Sequence, residues 1–555
     1  METCKLANLL IFSLLVLCTS ALELPSTVNR VTDGTITSIS LKTYNSSSDN
    51  DEAFLQLVSI DGNANFKIQA TDIPSDVYFV IIQVHTYMHN VSMSYDVAVS
   101  DHLTGNHVNG SNIGLLIETN AATNAVVRVS NTNSESVESL IAILAYTKDA
   151  PQPGGCNMEF NVEKSPFQKL TFNDKTITVD AQPASIPPVG GLQLSCEKFP
   201  IAHDAYRMYM PEHDFSNVTY FTSIANMLTV SDIEKNAALI PGSIFNSAMR
   251  RIYSVYPGTG SVYGMVAYFG EASSAYVPIV TYGCDSSSWA NSCSYLTNAF
   301  TKVLSALVFF IGVFVAMRGQ NFFKTSMILL GLLFGGYIGY TIGLYYETFN
   351  LTGIIVIGMI TGIVMSSLWL LLWMSWSSPI PSLTLTGVTL GSFFFYIFYF
   401  AVPAGAWYLE MDSYYWLIFT TFVVMTFLVF SVVPLIGNIL CFTILGSYVS
   451  ILAVDYYVGS NLKYILINSI RRSTDDDFKY AVIQPPFQRN DIILTLSWAF
   501  IVIVGIFRQY SNNLNRLPFP PSTPNTARYT ERTAIFSRRR YEAEYQTFHN
   551  PPVFY

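Results

Sequence analysis

Histidine beside acid is the first arrangement in this sequence with the makings of chemistry. His203-Asp204, Glu212-His213-Asp214, and His85 with His89 carry the residue types of a metal site or of a general base with its orienting carboxylate. All of them sit in polar, turn-rich sequence, where exposed hydrogen-bonding histidines are the commoner outcome. No histidine occurs between His213 and His549, so the long apolar runs in that interval lack the ligand or base that an intramembrane hydrolase requires. The last apolar run, Ile492 to Phe507, holds no lysine for a Schiff base. The expectation is a protein that is not an enzyme and carries no cofactor.

Cysteine points to a compartment. Of the 7 cysteines, Cys4 and Cys18 fall in an N-terminal leader and Cys441 in an apolar run, which leaves Cys156, Cys196, Cys284 and Cys293. An even set in an oxidising lumen predicts two disulfides, and the spacing of Cys284 and Cys293 is poor for a zinc knuckle. Three connectivities are open, with the sequence-local one, Cys156 to Cys196 and Cys284 to Cys293, favoured over the others. Glycan acceptors agree with a lumenal setting: Asn45-Ser-Ser, Asn90-Val-Ser, Asn109-Gly-Ser and Asn217-Val-Thr each predict a surface asparagine. Asn350-Leu-Thr lies too close to the membrane to expect modification.

Glycine at helical spacing is the other organised signal. Gly331, Gly335, Gly339 and Gly343 recur every fourth residue, and Gly358 with Gly362 and Gly387 with Gly391 repeat the motif in the next two apolar runs. Missing side chains let backbones approach, so spans two to four are expected to pack as one tight unit. Ionisable groups within these runs are confined to Lys302 and Asp455, both near an end, where snorkelling to an interface is the default.

The elements that hold these residues follow from composition. Over 555 residues only 12% are charged, half are apolar and the mean hydropathy is +0.35, so part of the chain lives in lipid. A net charge of -9 gives nucleic acid no basic surface to bind. Residues 1–21 read as a secretory signal peptide: a short basic lead, the apolar Leu6 to Leu17, then Cys-Thr-Ser-Ala. Residues 22–153 and 154–298 read as two β-rich, sandwich-like ectodomains, with strands at Val77 to Val84, Ile113 to Ile117, Val126 to Val129, Leu140 to Tyr146, Ala205 to Met210, Ile252 to Tyr256, Tyr263 to Phe269 and Tyr276 to Tyr282. The Pro/Gly segment at Ala150 to Gly155 marks the join.

Residues 299–507 read as an all-α bundle of seven transmembrane helices: Phe300 to Met317, Ser326 to Tyr345, Thr352 to Trp373, Leu383 to Val402, Tyr414 to Val433, Leu435 to Tyr457 and Ile492 to Phe507. Pro434 separates the fifth from the sixth. An outside N-terminus and seven spans place residues 508–555 in the cytosol as a disordered tail. Arg318, Lys324, Arg508, Arg516, Arg528 and Arg532 fall inside on this topology, as the positive-inside rule asks. The connection Val458 to Asn490 strains it, being lumenal yet carrying Lys463, Arg471, Arg472, Lys479 and Arg489; the spacing of Leu462, Ile465, Leu466, Ser469 and Ile470 there predicts an amphipathic helix lying on the membrane. In the tail, Tyr545-Gln-Thr-Phe548 and Arg538-Arg539-Arg540 have the form of signals for cytosolic sorting adaptors, beside the plainer reading of a solvated basic tail. Residues expected of a G-protein-coupled receptor are missing: no acidic-Arg pair ends the third span and no Asn-Pro-x-x-Tyr lies in the last.

Several stretches carry a family likeness. Pro153-Gly-Gly-Cys156-Asn-Met-Glu-Phe160, Tyr276-Val-Pro-x-x-Thr281-Tyr-x-Cys284, Gly446-Ser-Tyr448 through Ala453-x-Asp455-x-Tyr457, Asn468-x-x-x-Arg472, Pro486-Phe-Gln-x-Asn490-Asp491 and the tail's Pro518-Phe-Pro-Pro521 resemble the transmembrane 7 superfamily member 3 family. The likeness runs from the leader through the ectodomain and all seven spans to the proximal tail; the early ectodomain and the distal tail are less similar. It implies a multipass protein of the plasma membrane or secretory-pathway membranes, without catalytic residues or G-protein coupling, linked to cell survival and stress tolerance. The function expected is a glycosylated interaction or homeostasis factor that sits in the lipid bilayer and meets an unidentified lumenal or extracellular protein partner. A transporter or channel is the alternative, and an atypical receptor the second. A polar cavity lined by Tyr337, Tyr340, Tyr448 and Asp455 would favour transport, and a filled bundle would disfavour it.

Overall fold

The computed structural model describes residues 24–25, 27–45, 52–96, 107–119, 122–156, 166–186, 196, 201–284, 293, 299–346, 349–375 and 380–513. The expected leader and both tail motifs lie outside the described residues. The chain forms two units, one comprising Met1–Tyr295 with Tyr480–Val482 and the other Leu296–Lys479 with Ile483–Tyr555.

The first unit begins with ten strands: β1 (Val28–Val31), β2 (Ile36–Ser40), β3 (Phe54–Ile60), β4 (Asn65–Thr71), β5 (Val77–Thr86), β6 (Val91–Tyr95), β7 (His107–Gly110), β8 (Asn112–Glu118), β9 (Ala125–Ser130) and β10 (Val137–Thr147). They make a sandwich of two sheets, β1-β3-β10-β5-β8 and β2-β4-β9-β6-β7. In β4 the alternation is clean: Phe66, Ile68 and Ala70 are buried while Asn65 is exposed and Lys67 and Gln69 are partly so, as a strand with one wet face should read. β5 and β10 break that rule, with nearly every residue buried. Both faces of their sheet are covered. Ile82, Val84, Ile141 and Ile143 point into the sandwich, whereas Phe79, Ile81, Leu140, Ala142 and Leu144 join a second core with the residues that follow. That is why VYFVIIQV and LIAILAY are unbroken apolar runs.

The second β domain comprises β11 (Gln168–Phe172), β12 (Thr176–Ala181), β13 (Ala202–Glu212), helices α1 (Asn217–Ala225) and α2 (Val230–Asn236), β14 (Ala238–Ile240), β15 (Arg250–Ser254), β16 (Thr259–Phe269), β17 (Ala272–Ala275) and β18 (Ile279–Thr281). The expected strand Tyr276 to Tyr282 is shorter, because Pro278 has no N–H to give a ladder. The two helices were not legible from hydrophobic pattern, yet each has a side-chain cap: Ser216 accepts from Thr219 N–H and Thr229 from Asp232 N–H. Phe221 and Ile224 on α1, Ile233 on α2 and Leu228 between them join the core that covers the outer face of the first sandwich. A far later segment, β19 (Ala481–Val482), completes the sheet β11-β12-β15-β19 by pairing in parallel with Ile252 and Tyr253.

The second unit is helical: α3 (Ala299–Arg318), α4 (Phe323–Tyr345), α5 (Leu351–Ser375), α6 (Ile380–Phe400), α7 (Asp412–Val432), α8 (Pro434–Val458), the short α9 (Tyr464–Thr474) and α10 (Arg489–Asn513). Among the described residues, six continuous segments are long and apolar enough to cross a membrane, the first being Thr301–Tyr345. Those 45 residues would reach roughly 68 Å as one helix, about twice the hydrocarbon thickness. They are instead α3 and α4, divided by a 3-10 turn at Gly319–Phe322. Hydrogen bonds show the reversal. The end of α3 and the turn bond to Gln509 near the end of α10, through Ala316 O at 2.7 Å and Gln320 N at 2.8 Å, while the start of α3 meets the end of α8 through Thr301 and Tyr456 at 3.0 Å. The later half of α4 returns to that second end, where Tyr337 bonds Ser469 at 2.8 Å. Val433 divides α7 from α8, and Pro434 is the first residue of α8, where a missing N–H is tolerated.

Two expectations need correction. α10 continues past Phe507 to Asn513, so the helix takes in the first residues assigned to the tail; Gln509 is 1% exposed and bonds inside the bundle, which an apolar-run criterion cannot foresee. α9 exists and is amphipathic, as expected, but the face it buries lies against other helices and is polar as well as apolar. It packs against α4 and α6, and the residues it buries include Asn468, Ser469, Arg471 and Arg472.

Candidate functional site

The predicted glycine positions all fall at helix contacts. A Cβ on Gly331 would lie 2.9 Å from Ser366 Cα, on Gly335 2.7 Å from Thr361 O, on Gly339 1.8 Å from Thr361 Oγ1, and on Gly343 3.1 Å from Ile354 Cγ2. α5 answers with Gly358 and Gly362, the latter 2.8 Å from Leu332 O on the same measure. Thr361 Oγ1 donates to Gly335 O at 2.9 Å and Ser366 Oγ to Ile328 O at 3.0 Å. The tight unit is therefore a pair, α4 with α5. Gly387 and Gly391 do not join it: they face α7, with Cβ distances of 3.0 Å to Phe427 Cα and 2.7 Å to Val423 Cα. A third contact, among α3, α8 and α10, rests on Gly312, Gly446 and Gly505, and sequence reasoning missed it because each helix supplies an isolated glycine rather than a repeat.

Asp455 lies in a buried polar cap at the end of α8. The predicted interfacial anchor is corrected here, since the residue is 2% exposed. Gly459, with φ +71°, turns the chain off the helix and donates to Asp455 O at 2.7 Å, and Ser460 N–H donates to the Asp455 carboxylate. Lys463 Nζ stands 3.8 Å from the same carboxylate. Asp491, fully buried, performs the matching task at the start of α10: it accepts from Asn461 N at 2.6 Å and from Gln488 N at 2.9 Å, while Asn461 Nδ2 reaches Pro486 O at 3.1 Å. Tyr448 OH donates to Leu462 O at 2.9 Å. On the other side, Arg472 pairs with Asp412 and its guanidinium lies 4.8 Å from the Tyr415 ring centroid. The stretches quoted for the family likeness supply Tyr448, Asp455, Pro486 and Asp491 to this one cap. Its carboxylates are occupied by backbone N–H groups, so the chemistry is anchoring of the connection between α8 and α10. The signal for Asp491 was present in Gln488-x-x-Asp491, an acid reaching back to the N–H that precedes its helix.

In the first unit the structure joins Cys156 to Cys196 and Cys284 to Cys293. The Pro153-Gly-Gly-Cys156 turn is held by Tyr276, whose hydroxyl accepts from Gly154 N at 3.2 Å and donates to Gln182 O at 2.6 Å. Asn45, Asn90 and Asn109 are exposed. Asn217 is half-buried at the first position of α1, its amide donating to Glu138. Among the described residues no three of His, Cys, Asp and Glu are grouped to hold a metal ion. His85 is 0% exposed between Asn112 Oδ1 at 2.9 Å and Gln83 Oε1 at 3.0 Å, and Asn112 also bonds Tyr220. Beside this network opens a cleft of about 330 Å³ bounded by the loops around Met88 and Ser111, by β11 and by β18.

Burial lowers the His85 pKa from 6.5 to about 4, outweighing its bond to Asn112, and burial likewise lowers His203 to about 4 while Ala184 N donates to its Nε2 at 2.9 Å. The unfolded chain therefore binds more protons than the folded one between pH 6.5 and 4. The His85 contribution, about 3 kcal/mol in full, is present above pH 6.5 and is lost as the pH falls toward 4. Hydrogen exchange at the β5 amides, corrected for intrinsic rate, is expected to rise steadily across that window and to flatten in His85→Gln. A pH-independent opening energy would contradict this account.

Two stacked β-sandwiches ahead of a glycine-packed bundle of membrane-length helices define a multipass membrane protein with an N-terminal tandem of β domains. Comparison with known families assigns each part: the N-terminal immunoglobulin-like domain of TM7SF3-like proteins matches residues 46–146, their second immunoglobulin-like domain residues 151–287, and the TM7S3/TM198-like domain residues 305–510. The chain belongs to the TM7SF3-like family. Transmembrane 7 superfamily member 3 of Homo sapiens is 26% identical over 468 residues, covering 81% of this chain and 80% of that protein. The proteins of the same name from Mus musculus and Rattus norvegicus are 27% and 28% identical, with 81% of each chain covered.

Proposed function

We propose that this chain is a glycosylated, non-enzymatic seven-pass protein of the plasma membrane or secretory pathway, with its β unit outside, that supports cell survival under stress by engaging a protein partner through that unit. Close packing around the four residues that a polar pathway was expected to use carries the choice against transport. Tyr448 is buried against Phe393 and Trp498, with ring centroids 4.7 and 5.3 Å away, Tyr337 packs against Tyr396 with tilted rings 5.6 Å apart, and Asp455 is enclosed by its own loop. Tyr340 packs over Gly358. The cavity between α3, α4 and α8 is about 30 Å³ and lined mainly by apolar side chains such as Ile311, Leu330 and Phe442, too small for a hydrated solute. Open relief lies instead on the β unit. The pairing of β19 with β15 supports a lumenal connection between α8 and α10, as does the reversal between α3 and α4.

Purified full-length chain in sealed liposomes is expected to leave proton and potassium gradients intact, and cells lacking the chain to regain survival under stress when it is restored. Dissipation of either gradient beyond empty liposomes, or no survival difference on restoration, would overturn the reading.

A further inference from the structure

Gln168 is a buried group with nothing to bond. It is 1% exposed at the start of β11, and neither Oε1 nor Nε2 has a hydrogen-bond partner. Leaving a carboxamide unpaired inside a protein is costly, and leucine of similar size would avoid the cost. Its surroundings supply the reason. Gln168, Leu170 and Phe172 line the cleft of about 330 Å³ at strand spacing, facing Tyr87, Tyr220 and Tyr282, and none of the described residues lining it is charged. β11 has a single strand neighbour, β12, and β18 a single neighbour, β16, among the described residues, so two strand edges border the cleft.

We propose that this cleft binds an extended, uncharged peptide segment of a partner protein. The carboxamide of Gln168 offers a donor and an acceptor side by side, the complement of the C=O and N–H of an extended backbone. An anion would satisfy only the donor. The open edge of β11 continues the same pattern of backbone groups, as in recognition by strand addition, and Phe172, 46% exposed, gives an apolar side chain of the segment a surface to cover. The proposal rests on the reading of the β unit as the partner-engaging part.

The test uses full-length chain in nanodiscs and a phage-displayed library of random dodecapeptides, followed by anisotropy titration of an enriched peptide made synthetically. Gln168→Leu and Phe172→Ala are each expected to weaken binding about tenfold or more. Gln168→Leu should melt no lower than the wild type, since it removes an unpaired amide, and Phe172→Ala tests the cleft without touching a buried residue. Enriched peptides that bind both variants as tightly as the wild type would overturn the cleft assignment while leaving a partner-engaging β unit standing. No enrichment over empty nanodiscs would overturn both.

Discussion

Gly339→Leu and Gly335→Leu are expected to prevent assembly of the helical unit, with most of the protein degraded soon after synthesis. The Cβ of residue 335 would lie 2.7 Å from the backbone oxygen of Thr361, and that of residue 339 1.8 Å from Thr361 Oγ1, so α4 and α5 must part to admit either side chain. Parting them also removes the Thr361 and Ser366 bonds to the facing backbone. Even Gly335→Ala should cost roughly 1 to 3 kcal/mol, because a backbone carbonyl cannot swing aside as a side-chain tip can. Ile342→Leu, on an exposed part of α4, is the control and should be neutral. Cellular half-life and thermal unfolding in detergent are the measurements. Normal half-life and melting of Gly339→Leu would mean that α4 and α5 are not packed through this face.

Asp491→Ala is expected to destabilise the helical unit by about 3 to 5 kcal/mol. The substitution removes the acceptor of the buried Asn461 N–H and of the partly buried Gln488 N–H, and weakens the hold on the Asn461 amide, which keeps Pro486 O but loses the carboxylate. Asp491→Asn keeps one oxygen and should fall between. Asp476→Ala, at an exposed turn of the same connection, should be silent. A loss within about 1 kcal/mol for Asp491→Ala would show that the cap does not hold the connection.

Most of the secondary structure was legible because burial writes its period into sequence. Membrane helices declared themselves by length of apolar run, to within a few residues of the bounds of α3 through α8. β2, Ile-Thr-Ser-Ile-Ser, was missed because it turns Thr37 inward and leaves Ile36 exposed, against the apolar pattern a strand is read by. Pairing partners were less legible than elements. The every-fourth glycines of the second span marked a close face correctly, yet nothing in Gly387 and Gly391 distinguished α7 from α5 as their neighbour, because a small residue records close approach and not its object. Polar side chains were hardest. Gln509, Asp491 and Arg472 looked like helix ends and loop charges, and their burial depends on partners far along the chain. Gln168 was not singled out at all, since no strand is expected from the sequence around it.

The account stands or falls on which side of the membrane the connection between α8 and α10 occupies. With the β unit outside, seven passes put Asp476 outside and the tail inside; were Thr301–Tyr345 a single pass, both would change sides. Glycosylation acceptors inserted one at a time, beside Asp476 and beside Thr526, read this out as a shift in mass that endoglycosidase reverses. Modification at Asp476 and none at Thr526 is the predicted result. The opposite pattern would contradict the seven-pass arrangement.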